Sequence, residues 1–401
     1  MKPKPRVHII GGGFSGLITA FYAREAGFEV HLSEKNRWGG LLGTKTTPEG
    51  LVEEAANAFL WTAELERVSS VIGVPLQRTL ASAKKRYVAT DIPRPLAPRQ
   101  FLPAVWNFIK AAVRRHHRPF PLETLTGWGR RVLGPEFTEK TLRPATRGVW
   151  GVSADQLSAS LILAPMFQKK RERRKGSVSP QGGLQVWIDA LVRHLQSQGV
   201  VMKIEDSRVT INDGFLVLAT SWKQKADLLQ GFSPMAAELY RQMRATSLTS
   251  ATAHFARTGE SAYPGFGILF HPDHRWKAAG VLFNDQIFEN RGPHRSETWI
   301  FDRVLSESEA REAVLEDRAR LGLQGSMLAL RVTHAVEALP LYNTDHESLL
   351  IKLKGLTPEL KAKHIYLIGN ELGDIGLTSL GLRARDLVRE MAAQAASEGQ
   401  R

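Results

Sequence analysis

The chain has 401 residues, 43% hydrophobic and 23% charged, an ordinary globular balance that argues against a disordered or fibrous chain. That length is long for one compact core, so two or three domains are expected. There is no cysteine, which excludes disulfides, thiolate metal ligands, a cysteine nucleophile and a cofactor tethered through sulfur. The net charge of +14 and pI of about 10.0 admit nucleic acid, anionic lipid or an acidic small molecule as partner, and position along the chain has to decide among them.

The first residues, Met1 to Arg6, lead straight into a short apolar strand without the apolar core and cleavage site of a signal peptide. No apolar run approaches the roughly 20 residues that span a bilayer. A cytoplasmic location is therefore expected. Arg6-Val-His-Ile-Ile10 reads as a buried strand, Gly11-Gly-Gly-Phe-Ser-Gly16 follows at once, and Leu17 to Ala26 reads as a helix stopped by Gly27. Glu29-Val-His-Leu-Ser33 is a second strand with Glu34 at its end. Each part suits a dinucleotide. Gly11 permits the tight turn, Gly13 lets backbone approach a pyrophosphate, and Gly16 lets the helix pack closely on the sheet. The helix N-terminus offers N–H groups and partial positive charge to phosphate, and Phe14 and Ser15 in the loop before it are further candidates to meet the cofactor. Glu34, 18 residues after Gly16, is placed to accept ribose hydroxyls and disfavours a ribose 2′-phosphate. The alternative is a glycine-rich turn in some other α/β domain. Strand, loop, helix, second strand and terminal acid in this order argue against it.

Glu34-Lys-Asn-Arg-Trp-Gly-Gly-Leu-Leu-Gly-Thr44 resembles the segment after the second strand in the flavin amine oxidase superfamily, where an arginine and a glycine pair run beside the FAD pyrophosphate and ring. Arg37, Gly39 and Gly40 stand in those places; Lys35 beside them is a further candidate to meet the cofactor, or a residue of a solvated loop. Further segments follow in the same order. Leu51 to Phe59 is similar to the stretch passing the flavin ring, and Lys85-Arg-Tyr-Val-Ala89 resembles the stretch that carries a substrate arginine in protoporphyrinogen oxidases. Arg147 to Ser158, Pro180 to Leu184, Gly265 to Leu269, Phe288 to Arg291, Ala338 to His346 and Ile365 to Asn370 continue the likeness. The chain thus resembles protoporphyrinogen oxidases within that superfamily over nearly its whole length.

The resemblance implies FAD as cofactor, with Gly369 and Asn370 closing on the flavin and no metal. It implies a mixed α/β and α+β fold. Residues 1–75, 180–245 and 345–401 would form a discontinuous Rossmann-type FAD-binding domain. Residues 76–90 and 250–340 would form a sheet-based substrate domain, and residues 91–178 a helical subdomain. The implied reaction is oxidation of a tetrapyrrole by hydride transfer to flavin, with oxygen or another acceptor. No side chain is singled out as catalytic, because the cofactor carries the redox step. Arg86 matches the arginine expected to meet a propionate; a surface arginine at a strand edge is the plainer reading. Phe266 and Tyr342 are candidates for the apolar substrate wall, or simply core. His346 reads as a structural histidine. Two departures stand out. The 200–220 hairpin is short, so the backbone contact to adenine is assigned only by position to Val209. Arg383-Ala384 also replaces a Ser-Gly pair. Another amine oxidase-like substrate, a polyamine or a carotenoid, or a non-catalytic FAD-binding paralogue, are the alternatives.

Phe101 to Val113 is apolar and aromatic, with Arg94, Arg99 and Arg114-Arg-His-His-Arg118 around it. That composition suits a helix lying on anionic lipid, at the inner face of the cytoplasmic membrane, through 101–118. A core helix with solvated basic ends is the alternative. The run Lys169 to Lys175 reads as a solvated loop. No zinc-finger spacing or recognition helix supports nucleic acid, and no acids stand near His116-His117 at metal spacing. A monomer or a homodimer is expected.

Overall fold

A computed structural model describes residues 5–167, 174–206, 214–373 and 376–398. Val209, and Lys169 to Arg173 of the second basic run, lie outside the described residues.

Of the strands Arg6–Ile10, Glu29–Glu34, Val201–Ile204, Phe215–Leu218 and Ile365–Leu367, the inner Arg6–Ile10 and Phe215–Leu218 are apolar and largely buried on both faces, while Val201–Ile204 at the edge leaves Val201 and Ile204 exposed. Val7, Ile9, Val217 and Leu218 are at most 1% exposed. Such strands form a parallel sheet covered on both faces. The order is Val201–Ile204, Glu29–Glu34, Arg6–Ile10, Phe215–Leu218, Ile365–Leu367, all parallel. Helices Phe14–Glu25, Leu184–Ser197 and Leu377–Glu398 share one apolar cluster with one side of the sheet. Trp222–Leu229, Pro234–Arg241 and Thr344–Ala362 share another with the opposite side. The sheet is thus assembled from three distant pieces of chain. The first helix starts at Phe14 rather than Leu17, because Gly13 in extended conformation is its N-cap.

A second sheet has seven strands. Its order is Met327–Pro340, Ala245–Phe255, Arg295–Phe301, Gly280–Phe283, Gly267–Phe270, Tyr87–Ala89, Pro93–Pro95. The last of these lies within the stretch expected to be helical. Its two prolines cannot donate to a ladder, which suits an edge strand. Helix Glu307–Arg320, opened by a capping box between Ser306 and Glu309, shares a core with the sheet through Phe255, Phe270 and Trp299.

The helices Leu102–Val113, Leu125–Val132, Arg143–Trp150 and Ala159–Leu163 come from the 91–178 stretch, and Trp128 and Leu157 centre a small core of their own. Two ion pairs tie the layers together. Arg147 donates from Nε to Asp302 at 2.8 Å. Arg291 and Glu53 meet at 2.7 Å, both nearly buried; Thr44 donates to Glu53 and Ser179 accepts from Arg291 Nη2. Burial pushes the Glu53 carboxyl up, against the attraction of Arg291.

Helix Leu102–Val113 runs opposite to the usual pattern. Leu102, Val105, Trp106, Ile109 and Val113 are all exposed, between 45% and 79%, while Ala104 is buried. Their spacing of three and four places them along one outward stripe.

Candidate cofactor cleft

The carboxyl ends of the parallel strands open on a cleft of about 870 Å³ whose far wall is the seven-stranded sheet. A crevice there, where neighbouring connections leave in opposite directions, is where open α/β sheets bind nucleotides.

The cleft floor is built by glycine. Gly11 takes φ +106°, and a Cβ there would stand 2.7 Å from the Ala219 carbonyl carbon. At Gly16 a Cβ would stand 1.7 Å from the Gly11 oxygen, so helix and turn could not stay in contact. Gly13 is different. It faces open space, with no protein atom within 4 Å of a built Cβ, and no side chain caps the helix it begins. The first-turn N–H groups therefore have no side-chain acceptor there, and the helix dipole adds to their pull on an anion. Phe14 and Ser15 line the same floor.

Glu34 stands at the strand end with its carboxylate fixed. Oε2 accepts from the Gly12 N–H at 2.6 Å and Oε1 from the Asn36 N–H at 2.8 Å. A carboxylate has lone pairs left for ribose hydroxyls. Lys35 is exposed and pairs with Asp206 at 2.9 Å. Gly39 and Gly40 cross over the phosphate loop. The Gly39 N–H donates to Gly12 at 2.8 Å, and a Cβ on Gly40 would stand 3.1 Å from Gly13 Cα. Arg37 donates from Nε to the Gly40 carbonyl at 3.0 Å and from Nη2 to Glu54 at 2.7 Å. Glu54 also meets Lys45 at 2.8 Å. Burial raises the Glu54 carboxyl, but hydrogen bonds from Lys45 and Arg37 outweigh it and hold it below the usual range. Glu54 therefore stays ionised and holds Arg37 beside the glycine floor. The sequence motif pointed to Arg37 but not to its partner.

These residues fit FAD: an open glycine cradle for the diphosphate, the Arg37 guanidinium beside it, and a fixed acid for the ribose. Val209 was assigned to the adenine end. Among the described residues, Ser33, Lys35 and Glu205 line the cleft at the end of the second strand.

Across the cleft, the wall belongs to the second sheet. Thr333, Ser250 and Ile300 stand opposite one another, with Ala335 and Leu248 one step along. Residues directly opposite in register share a face. The first row continues through Gly280 and Leu269 to Val88. Arg86, two residues before Val88, falls on the same face, roughly 15 Å from Ile300 by strand spacing and rise. Its guanidinium lies 4.5 Å from the centre of the Phe266 ring. Arg86 is exposed and Phe266 half-buried, and neither touches the cleft itself. The structure thus brings these two together on the platform outside it.

Tyr342 is placed otherwise than expected for a substrate wall. It is fully buried between Trp150 and His346, and its hydroxyl donates to the Asn370 carbonyl. Its volume and polar tip are absorbed behind the cleft. His346 is also buried and bonds the Glu371 carbonyl through Nε2 at 2.8 Å; burial lowers its basicity, so it is held neutral. Gly369, Asn370 and Glu371 all line the cleft. Behind them lies an ion pair that sequence reading missed: Lys225 and Glu371, 2.5 Å apart and essentially without solvent exposure. The signal was present, because Lys225 sits with Trp222, Ala226 and Leu229 at helical spacing on the buried side of its helix. Ala384, one of the departures, is buried in helix Leu377–Glu398 in the core shared with the first helix. Among the described residues no cluster of three His, Asp or Glu side chains could hold a metal.

Residues 9–72 match the family described as an NAD(P)-binding Rossmann-like domain. The chain is 23% identical to the mitochondrial protoporphyrinogen oxidase of Nicotiana tabacum, over 96% of this chain and 94% of that protein. It is 24% identical to coproporphyrinogen III oxidase of Mycobacterium tuberculosis, over 90% of this chain and 92% of that protein. Among solved structures, a protein of Exiguobacterium sp. 255-15 assigned as a protoporphyrinogen oxidase superposes with a TM-score of 0.76 at 18% identity, covering 98% of this chain and all of that one (100%).

Proposed function

We propose that this chain, an FAD-dependent oxidoreductase similar to protoporphyrinogen and coproporphyrinogen oxidases, takes electron pairs from a porphyrinogen. The observation that carries the reading is that the likeness runs through nearly the whole chain, substrate sheet included, and is not confined to the nucleotide-binding end. Bound flavin supplies the hydride-accepting ring, which oxygen or another acceptor restores.

This chain's residues supply placement. Among the described residues, the cations that line the cleft are Lys35 and Arg37, both just beyond the second strand. The facing wall of Leu248, Ser250, Ile300, Thr333 and Ala335 is apolar or hydroxylic. A flat, apolar macrocycle suits that wall, and its carboxylates must point away from it. Arg86, on the same sheet face and braced on Phe266, is the propionate partner in this reading. Helix Arg143–Trp150 lies close over the platform: a Cβ on Gly148 would stand 2.4 Å from Leu269 Cδ2.

Helix Leu102–Val113 is the membrane contact in the same reading. No helix among the described residues is long and apolar enough to cross a bilayer. The outward stripe with Lys110, Arg114, Arg115 and Arg118 beside it suits a helix lying in the headgroup region, where an apolar porphyrinogen partitions.

The test is anaerobic mixing of the FAD-loaded protein with protoporphyrinogen, coproporphyrinogen and spermidine in turn. The readout is bleaching of the flavin band near ~450 nm, a general property of oxidised flavin. Rapid bleaching by a porphyrinogen alone is the expected result. An FAD-loaded protein bleached by neither porphyrinogen would overturn the assignment.

A further inference from the structure

We propose that Lys225 is a positioning residue for the flavin, acting through the backbone of residues 368–371. This rests on the cofactor reading above. Three carbonyls in this short segment are drawn away from the cleft by buried donors. Lys225 Nζ donates to the Ile368 carbonyl at 2.8 Å, the Tyr342 hydroxyl to that of Asn370, and His346 Nε2 to that of Glu371 at 2.8 Å. The Glu371 side chain is pulled the same way, to Lys225 and, at 3.4 Å, to the Tyr240 hydroxyl.

A trans peptide sets its N–H opposite its carbonyl, and the described chain has no cis bond. Anchoring the carbonyls of Ile368 and Asn370 inward therefore turns the N–H groups of Gly369 and Glu371 the other way. That is the side on which residues 369–371 wall the cleft. The result is a pair of fixed amide dipoles facing the cleft that would hold the cofactor. Preorganised donors of this kind stabilise developing negative charge without reorganising.

The pair also explains Gly369. Its φ of 168° is open to any residue, but a Cβ there would lie 2.1 Å from Glu371 Oε2 and 2.7 Å from Lys225 Nζ. Glycine is required by the ion pair behind the segment. A buried lysine and glutamate are costly to keep, and an apolar pair of similar volume often stabilises as well or better. Bulk packing therefore leaves this one unexplained, whereas orientation of the cleft backbone accounts for it.

The test compares wild type with Lys225→Met and Tyr342→Phe. Each variant removes a different carbonyl anchor, and the second changes no charge. FAD affinity of the stripped protein and the two-electron reduction potential of the reloaded protein are measured beside thermal stability. The expected result is at least tenfold weaker FAD binding in both variants, with a potential about 30 mV more negative, the equivalent of tenfold for a two-electron couple. Tyr342→Phe keeps the ring packing and so keeps the fold if Lys225→Met does not. Folded variants whose affinity stays within twofold of wild type and whose potential stays within about 10 mV, roughly the equivalent of twofold, would overturn the proposal and leave the pair a structural one. A wild-type protein that takes up no FAD would instead overturn the cofactor reading, and this inference with it.

Discussion

Replacing Gly13 with alanine separates the cofactor site from the fold. The position has φ −67° and ψ −178°, which alanine adopts without strain, and its Cβ would meet no protein atom within 4 Å. The stripped protein should therefore lose nothing. It should be unchanged, or more stable by up to about 1 kcal/mol because the unfolded chain loses freedom. The methyl group nonetheless enters the space the diphosphate needs. Losing one hydrogen bond to a charged group costs about 1.5–3 kcal/mol, or roughly tenfold to a hundredfold in affinity. Gly16→Ala is the contrast. Its Cβ would lie 1.7 Å from the Gly11 oxygen, so helix and turn must separate. A cost of about 1–3 kcal/mol to the stripped protein is expected, typical of overpacking. Urea denaturation of both stripped variants, with FAD titration followed by quenching of its fluorescence, reads the two effects independently. A Gly13→Ala protein that binds FAD within twofold of wild type would refute the placement of the diphosphate on this loop.

Three further outcomes follow from the same geometry. Arg86→Ala should raise the KM for a porphyrinogen about tenfold with kcat nearly unchanged, since a remote carboxylate contact contributes to binding in ground and transition states alike; a fall in kcat alone would contradict that role. Trp106→Glu, on the exposed stripe, should cut sedimentation with anionic vesicles about tenfold while leaving bleaching in detergent intact; unchanged sedimentation would remove the helix from the membrane. His254 is fully buried, neither ring nitrogen has a hydrogen-bond partner among the described residues, and burial lowers its pKa below the ordinary imidazole value of about 6.5. The unfolded chain then binds the extra proton. Stability is full above about pH 6.5 and falls as pH drops from there through the lower folded value, by at most ~1.4 kcal/mol per pH unit for this one group. Denaturation midpoints of wild type and His254→Leu between pH 7.5 and 5.5 would converge in slope if His254 contributes nothing.

The nucleotide half was legible because its constraints are local. The Gly11–Gly16 loop, the strand before it and Glu34 after it act within one strand–helix–strand unit, and short-range spacing carries that information. The long returns were legible only through resemblance. Nothing within Phe215–Leu218 or Ile365–Leu367 says that they lie side by side, 147 residues apart between Leu218 and Ile365 by number, in one parallel sheet. Pro93–Pro95 shows the opposite failure: proline-rich sequence argues against a central strand, and the structure uses it where a missing donor costs nothing, on an edge.

Within the site, what escaped sequence reading was partnership rather than residue type. Tyr342 was visible as a large aromatic, but pattern cannot distinguish a ring facing substrate from one whose hydroxyl holds a carbonyl of the cleft loop from behind. Lys225 carried a clearer mark. A cation at the third position after Trp222 and before Ala226 and Leu229 lies on a face otherwise reserved for the core, and a lysine can remain there only with an acid brought to it from elsewhere in the chain. That acid, Glu371, arrives 146 positions later, directly after the glycine and asparagine that line the cleft. A charged residue out of phase with its helix thus points beyond its own element: the partner it requires must be buried too, and here the partner belongs to a segment that lines the cleft. Folding this pair out of water and orienting the cleft backbone are consequently the same event, which is why Lys225→Met should be felt by the flavin before it is felt by any substrate.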